Sequence, residues 1–116
     1  MYTKHYYKAE FGQSFHYLKY TPKDLPTDKK LPLVIYMHGA GERGNTDGSQ
    51  VDLVSVHGYF KHIKQGKEYP VMMVAPQCPA GGYWGSHIES LNRFLDHVIA
   101  ENNVDTERIY LTGNSM

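Results

Sequence analysis

Three short apolar segments, residues 33–37, 71–75 and 108–112, constrain the fold of this chain more than any other feature. Each is bounded by proline or glycine. Such continuous runs are typical of strands that are buried on both faces of a parallel sheet. Helical signals lie between the runs, so the sequence predicts an α/β fold with a mostly parallel central sheet.

The first twenty residues predict an antiparallel entry to this sheet. Residues 15–20 are rich in aromatic side chains and are followed by Thr21-Pro22, which is typical of a strand that ends at a turn. Residues 6–9 are its expected hairpin partner, and the tyrosines of this region are expected to pack on the sheet. Residues 23–30 hold one proline and five charged residues, which predicts a solvated connector.

Two helices are predicted between the buried strands. Ser86 and Glu89 have the spacing of a capping box, and apolar residues then follow a helical period at Ile88, Leu91, Leu95, Val98 and Ile99. This helix should end near Asn102-Asn103, with residues 104–107 as the turn into the next strand. Tyr59, Phe60 and Ile63 predict a shorter helix that ends at Gly66.

Composition limits the partners that the protein can have. The 116 residues are 41% hydrophobic, which is enough for one domain or part of one, and 12 basic residues balance 12 acidic ones. This balance excludes the basic surface of a protein that binds nucleic acid or anionic membrane, and it favours a small, mostly neutral ligand. Cys78 has no second cysteine to pair with, so we expect a buried thiol. The first residues lack the apolar core of a signal peptide, and no segment is apolar enough to span a membrane, so we expect a cytoplasmic protein.

A glycine-rich loop, residues 38–44, directly follows the first apolar strand. It matches G-x-G-x-x-G over residues 39–44, but residues 45–49 have a loop composition where a dinucleotide fold needs a helix, and no acidic residue lies near position 64. The competing interpretation is an oxyanion loop, whose small residues let backbone N–H groups approach a substrate carbonyl. The alternative to an enzyme is a non-catalytic α/β module that binds a phosphate-bearing ligand at residues 39–44.

The last apolar strand leads into Gly113-Asn114-Ser115-Met116, four of the five residues of a G-x-S-x-G nucleophile elbow. A bare G-x-S pattern is common, but an elbow must follow a buried strand, and this one does. In such an elbow the serine is the nucleophile, and the N–H of the next residue needs an oxyanion partner from an earlier strand-to-helix loop.

Three blocks of the sequence together resemble a known family: residues 31–44, the Val-Ala-Pro-Gln-Cys-Pro segment at 74–79 with Trp84, and residues 104–116. They are similar to α/β-hydrolase esterases described as predicted peptidases, which are related to polyhydroxybutyrate-depolymerase-like and feruloyl-esterase-like enzymes. The resemblance implies that Ser115 is the nucleophile, with the N–H groups of Ala40 and Met116 as oxyanion donors. The other residues that it assigns to the substrate site are His38, as a structural histidine, Gly39, Gly41 and Trp84.

The resemblance also implies that residues 1–116 lack two members of the catalytic triad, the acid and the histidine. In this fold the acid and the histidine follow the serine, so residues 1–116 are expected to be the N-terminal part of a single α/β-hydrolase domain, truncated at the elbow and inactive alone. His38, His57 and His87 precede the serine, which argues against a base within the fragment. His57 and His62 point to different faces of a helix, so a zinc site is not expected.

The predicted activity is therefore ester hydrolysis through an acyl-enzyme, with hydrolysis of a peptide bond as the alternative substrate class. No metal or organic cofactor is expected. The expected partners are a small ester substrate and either the C-terminal remainder of the same domain or a second copy bound through an exposed sheet edge.

Overall fold

The structure is a computed structural model and describes residues 2–23, 30–45 and 47–113. Most of the predicted connector over residues 23–30 lies outside these ranges. The described part has an α/β fold, as the sequence predicts. Its strands are β1 (Thr3–Tyr7), β2 (Phe15–Tyr20), β3 (Leu31–Met37), β4 (Met72–Pro76) and β5 (Val104–Gly113), and its α-helices are α1 (Gly58–Lys64) and α2 (Ile88–Glu101).

The five strands form one sheet in the order β1-β2-β4-β3-β5. β1 and β2 form the predicted antiparallel hairpin, and β2 is also antiparallel to β4. β3 lies parallel to both β4 and β5. The central strands therefore have the parallel arrangement that the apolar runs predict.

The hairpin differs from its prediction at one end, because β1 covers Thr3–Tyr7 and not residues 6–9. Tyr7 pairs with Phe15, which is the last pair of the ladder. The Ala9 N–H donates to Ser14 Oγ (2.9 Å), so Ala9 already belongs to the turn. A side-chain acceptor for this N–H ends the strand, and the sequence pattern did not reveal it.

Each face of the sheet is packed against one α-helix. On one face, Phe94 and Val98 of α2 are fully buried, and the Phe94 ring packs edge-on against Phe15 and Tyr17 of the hairpin. On the other face, Phe60 and Ile63 of α1 are buried in a second apolar cluster. The predicted packing role of the hairpin aromatics is confirmed for Phe15, Tyr17 and Tyr20, which are all buried.

The short helix α1 ends as the sequence predicts. Gly66 has a φ of +99°, a left-handed conformation that glycine adopts without strain. Its N–H bonds to Ile63 O, and the Lys67 N–H bonds to His62 O (2.9 Å). These two bonds form a Schellman motif, which satisfies carbonyl groups at the end of the helix.

The capping box predicted for α2 is wrong, although the helix itself is confirmed. Residues Trp84–His87 form a 3₁₀-helix, and α2 starts only at Ile88 with His87 as its N-cap residue. The Ser86 hydroxyl donates to Tyr83 O (2.8 Å) and caps no N–H of α2. The 3₁₀ turn moves the start of the helix beyond the reach of Ser86.

The predicted turn at residues 104–107 is part of β5 in the structure. Val104 pairs with Leu31, whereas Ile109 pairs with Leu33, so three extra residues bulge from β5 between the two pairs. Asp105 stabilises the bulge, because its carboxylate accepts the Glu107 N–H (3.0 Å) and binds Arg108 Nε (2.9 Å).

The prediction that the apolar strands are buried on both faces is confirmed for β4 and is wrong for β5. Every residue of β4 is buried, whereas Tyr110 and Leu111 on opposite faces of β5 are 55% and 73% exposed. β5 is an edge strand, no described strand pairs with its outer edge, and the described elements leave Tyr110 and Leu111 largely exposed. Its apolar sequence is that of an inner strand, yet its position is peripheral.

Candidate active site

The two loops with predicted chemistry begin side by side. Met37, the last residue of β3, is paired with Gly113, the last residue of β5. A Cβ atom at Gly113 would lie 3.1 Å from Met37 O, so glycine permits this close approach of the two strand ends. Asn114, Ser115 and Met116 lie outside the described residues, and the nucleophile and its neighbouring N–H therefore stay predictions.

The loop after β3 has no helix of the kind that a dinucleotide site requires. Ala40–Glu42 form a single 3₁₀ turn, and Arg43 returns to an extended conformation. Gly44 forms an isolated bridge with Pro79, its N–H donates to Cys78 O (3.2 Å), and its carbonyl accepts the Ala80 N–H (3.0 Å). Gly44 is therefore tied to the loop after β4 and does not begin an α-helix.

His38 is fully buried and supports this loop from below. The Cys78 N–H donates to His38 Nε2 (2.8 Å), so Nε2 carries the lone pair. The proton of the neutral ring is consequently on Nδ1, which donates to Gly39 O (2.6 Å). Burial lowers the pKa of His38, and the positive charge of Arg43 adds to this effect, although the contact with Gly39 O opposes it. A neutral ring with both nitrogens bonded is a structural support and not a general base.

Ala40 and Gly41 form the exposed tip of the loop. Gly39 O accepts from His38 Nδ1 and from the Glu42 N–H (3.2 Å). In a trans peptide the N–H points away from the carbonyl, so the N–H of Ala40 is directed away from these donors. No acceptor for the Ala40 N–H lies within the described ranges. A backbone N–H without an internal acceptor is one requirement for an oxyanion donor.

Trp84 links the loop to an apolar cavity. The indole is almost completely buried, its Nε1–H donates to His38 O (3.0 Å), and its ring centroid lies 4.9 Å from that of His38. Trp84 also lines a cavity of about 650 Å³ between α2 and the strands β3 and β5. Met37, Ile88, Leu91 and Gly113 are among the other lining residues. The cavity therefore reaches the ends of both strands that lead to the predicted site.

Three polar residues of the site were not predicted from the sequence. Glu42 is only 3% exposed, and no described group binds its Oε2 atom. Burial raises the pKa of Glu42, while the Gly39 N–H and the charge of His57 oppose this rise. Gln77 Nε2 donates to Glu42 O (3.0 Å) and Gln50 O (2.7 Å), and Arg43 donates to Ala40 O and Gly82 O. Charged residues in a glycine-rich loop are usually solvated, so the sequence does not predict these contacts of Glu42 and Arg43. Their position inside the loop motif is the one feature that could have indicated a role in the site.

Two other histidines border this arrangement, because the charge of His57 acts on Glu42 and a Cβ atom at Gly82 would lie 3.1 Å from His87 Nε2. His57 and His62 are exposed, and His87 is half-buried with its ring 6.2 Å from that of Phe15. Over the described ranges, His, Cys, Asp and Glu side chains form no cluster of three or more that could bind a metal ion. Cys78 is a buried free thiol, as predicted. None of the helices that the structure describes has both the length and the apolar character needed to cross a bilayer.

Three solved structures with a similar fold are esterases. The chain is similar to the crystal structure of a thermostable esterase, with a TM-score of 0.72 and 28% identity over 98% of this chain and 34% of that one. The chain has a partial α/β-hydrolase fold of the esterase type. The resemblance found in the sequence motifs is thus confirmed for the fold.

Two further esterases share this α/β-hydrolase fold at lower identity. A CE1 ferulic acid esterase from the anaerobic fungus Anaeromyces mucronatus gives a TM-score of 0.61 and 17% identity, over 97% of this chain and 48% of that one. A double mutant of the esterase rPPE gives a TM-score of 0.57 and 18% identity, over 98% of this chain and 34% of that one. The chain spans between a third and a half of the length of these structures. No protein-family model matches it, and no curated protein sequence matches it significantly.

Proposed function

We propose that the complete protein is a serine hydrolase of carboxylic esters, with Ser115 as its nucleophile. The observation that carries this proposal is the pairing of Met37 with Gly113, since the strand that precedes the Ala40 loop and the strand that precedes Ser115 in the sequence end side by side. The free Ala40 N–H supports it, because an oxyanion hole needs a backbone donor from the loop after an earlier strand. The esterase fold of the similar solved structures adds to both arguments.

In the proposed reaction, Ser115 Oγ forms a bond to the ester carbonyl carbon while a histidine takes its proton. The N–H groups of Ala40 and Met116 stabilise the negative charge on the tetrahedral oxygen. The histidine then protonates the alcohol as the carbon–oxygen bond breaks, and an acyl-enzyme forms. Water repeats the sequence on the acyl-enzyme and releases the acid. The chemistry requires no metal or organic cofactor.

The histidine and its acidic partner are proposed to lie in a segment outside residues 1–116. His38 is unsuitable because both of its ring nitrogens are bonded in the interior. We therefore expect the 116-residue chain alone to hydrolyse esters at no significant rate. Without a base, a serine hydroxyl is a weak nucleophile at neutral pH.

The same missing segment is the proposed partner of β5. Tyr110 and Leu111 expose apolar surface on the two faces of the strand, and Ile88 beside the cavity is 57% exposed. The similar esterases are two to three times longer than this chain, so a larger domain has enough residues to cover these surfaces. When that segment is withheld, we expect the 116-residue chain to self-associate through the β5 edge.

The predicted cytoplasmic location of the protein is tested by cell fractionation.

Labelling of Ser115 tests the proposed function. The full-length polypeptide is treated with a fluorophosphonate probe, and the modified peptide is identified by mass spectrometry. We expect the probe on Ser115, hydrolysis of p-nitrophenyl acetate, and loss of both in the Ser115→Ala variant. Ser49→Ala is the matched control, since Ser49 is an exposed loop serine that should leave labelling and hydrolysis unchanged.

Three results would each contradict a part of the proposal. Hydrolysis that survives Ser115→Ala would exclude this serine as the nucleophile. Thermal stabilisation by inorganic phosphate or a nucleotide, without any labelling, would favour the phosphate-binding alternative at residues 39–44. A Ser115-dependent rate for residues 1–116 alone would show that the base lies within this chain.

A further inference from the structure

Arg43 joins the two loops that border the proposed oxyanion site. Its Nε atom donates to Ala40 O (2.9 Å) and its Nη1 atom donates to Gly82 O (2.8 Å). Ala40 belongs to the loop after β3, whereas Gly82 belongs to the loop after β4 and lies 39 positions further along the chain. A single planar guanidinium therefore spans both loops with two directional bonds.

The bond to Ala40 O is the main anchor of that peptide. The only other donor to this oxygen within the described ranges is the backbone N–H of Arg43, at 3.4 Å. A distance of 3.4 Å is beyond the range of strong N–H···O bonds, about 2.7–3.2 Å. The carbonyl on the other side of Ala40, that of Gly39, is held by His38. The two peptides that flank Ala40 are thus anchored by two different side chains.

The charge of Arg43 acts in the same region. It contributes to the lowered pKa of His38 and opposes the rise in the pKa of Cys78 that burial causes. A fixed positive charge close to a developing oxyanion stabilises the transition state more than the ground state. Arg43 is therefore placed to act through both its bonds and its charge.

We infer that Arg43 is a positioning residue of the proposed esterase. Its guanidinium ties the Ala40 loop to the Gly82 loop and holds Ala40 so that its N–H faces the substrate carbonyl. The claim that Arg43 positions the Ala40 N–H for catalysis rests on the proposed function. The claim that Arg43 orders residues 38–44 rests only on its two hydrogen bonds.

The test uses the full-length polypeptide and the variants Arg43→Ala and Arg43→Lys. Loss of a positioning group costs about 10- to 100-fold in rate, so we expect kcat of Arg43→Ala on p-nitrophenyl acetate to fall by this factor with KM within about threefold. Arg43→Lys should be intermediate, because it keeps the charge and loses the fork of donors. Added methylguanidinium should partly restore kcat of Arg43→Ala, which a general loss of folding would not allow.

Arg93→Ala is the matched control, since Arg93 also contacts a backbone carbonyl, that of Phe11 at 3.4 Å, but lies on the surface of α2. We expect its kcat to stay within twofold of the wild type. Hydrogen exchange followed by mass spectrometry supplies a readout without turnover. Exchange over residues 38–45 should be faster in Arg43→Ala and unchanged in Arg93→Ala.

An Arg43→Ala variant with kcat within twofold of the wild type and unchanged exchange would overturn the inference. If Arg43→Ala does not fold, Arg43→Lys provides both measurements, and wild-type values in it would have the same meaning. If the wild type neither hydrolyses the ester nor reacts with the fluorophosphonate, the proposed function fails. Exchange over residues 38–45 then decides by itself whether Arg43 orders the loop.

Discussion

His38→Leu is the substitution that probes the support of the loop most directly. The leucine has similar bulk and no ring nitrogen, so the Cys78 N–H loses its acceptor at a fully buried position. A buried donor left without a partner costs about 1–3 kcal/mol. Gly39 O keeps the Glu42 N–H, so its loss is limited to about 1 kcal/mol. We therefore expect His38→Leu to lower the free energy of unfolding by about 2–4 kcal/mol at pH 8.

The pH dependence of this effect has a defined sign. The pKa of His38 is below its ordinary value of 6.5 in the folded protein, so below pH 6.5 the unfolded chain binds more protons than the folded one. Wild-type stability should therefore fall as the pH decreases from 6.5, until the pH is below the folded-state pKa. The slope from this one site is at most about 1.4 kcal/mol per pH unit. His38→Leu lacks this slope, so its deficit relative to the wild type should shrink at low pH.

Urea denaturation followed by circular dichroism between pH 8 and pH 5 measures both effects. The control is His62→Leu, because His62 is exposed on α1, and its change should stay within about 0.5 kcal/mol. Nitrogen NMR of labelled histidine tests the tautomer independently, and we expect the proton of His38 on Nδ1. An Nε2-protonated ring, or a deficit that does not vary with pH, would refute the assignment of His38 as a neutral support.

Two further predictions concern residues that neighbour the site. Burial raises the pKa of Glu42, so the folded protein binds more protons than the unfolded chain above pH 4.5, and stability should decline with rising pH until the carboxyl is ionised in both states. Glu42→Gln should abolish this decline in thermal melts from pH 4 to pH 8, and a decline that persists would assign it to another group. Gly113→Ala places a Cβ atom 3.1 Å from Met37 O and should cost about 1–3 kcal/mol in urea denaturation. Gly41→Ala, where no atom lies within 4 Å of the added Cβ, is the control for stability, and an equal loss in both variants would exclude the strand contact as the cause.

The sequence by itself determined the elements and their order. Residues 33–37 and 71–75 have apolar patterns that are local properties, and the strands β3 and β4 formed where these patterns predict them. The same is true of the shorter helix, whose end at Gly66 depends on the backbone freedom of one residue. The resemblance of residues 31–44, of residues 74–79 with Trp84, and of residues 104–116 to esterases was sufficient to recognise the fold, because the spacing of these blocks reflects the order of elements along the chain.

Only the tertiary structure decided how the loop is supported. The acceptor role of His38 Nε2 depends on the Cys78 N–H, which lies 40 positions along the chain, and the contact with Trp84 spans 46 positions. The burial of Glu42 and the two bonds of Arg43 depend in the same way on segments brought together by the sheet. Local patterns carry no information on such distant contacts, and charged residues beside glycines predict a solvated loop.

The exposure of β5 also depends on tertiary structure and not on local sequence. Its apolar residues predict an inner strand, and this pattern is encoded locally. Burial, however, requires a second element on each face, and the described elements leave Tyr110 and Leu111 largely exposed. The sequence thus determined what kind of strand β5 is, whereas the tertiary structure decided its exposure, because burial is a property of the neighbours that pack against a strand.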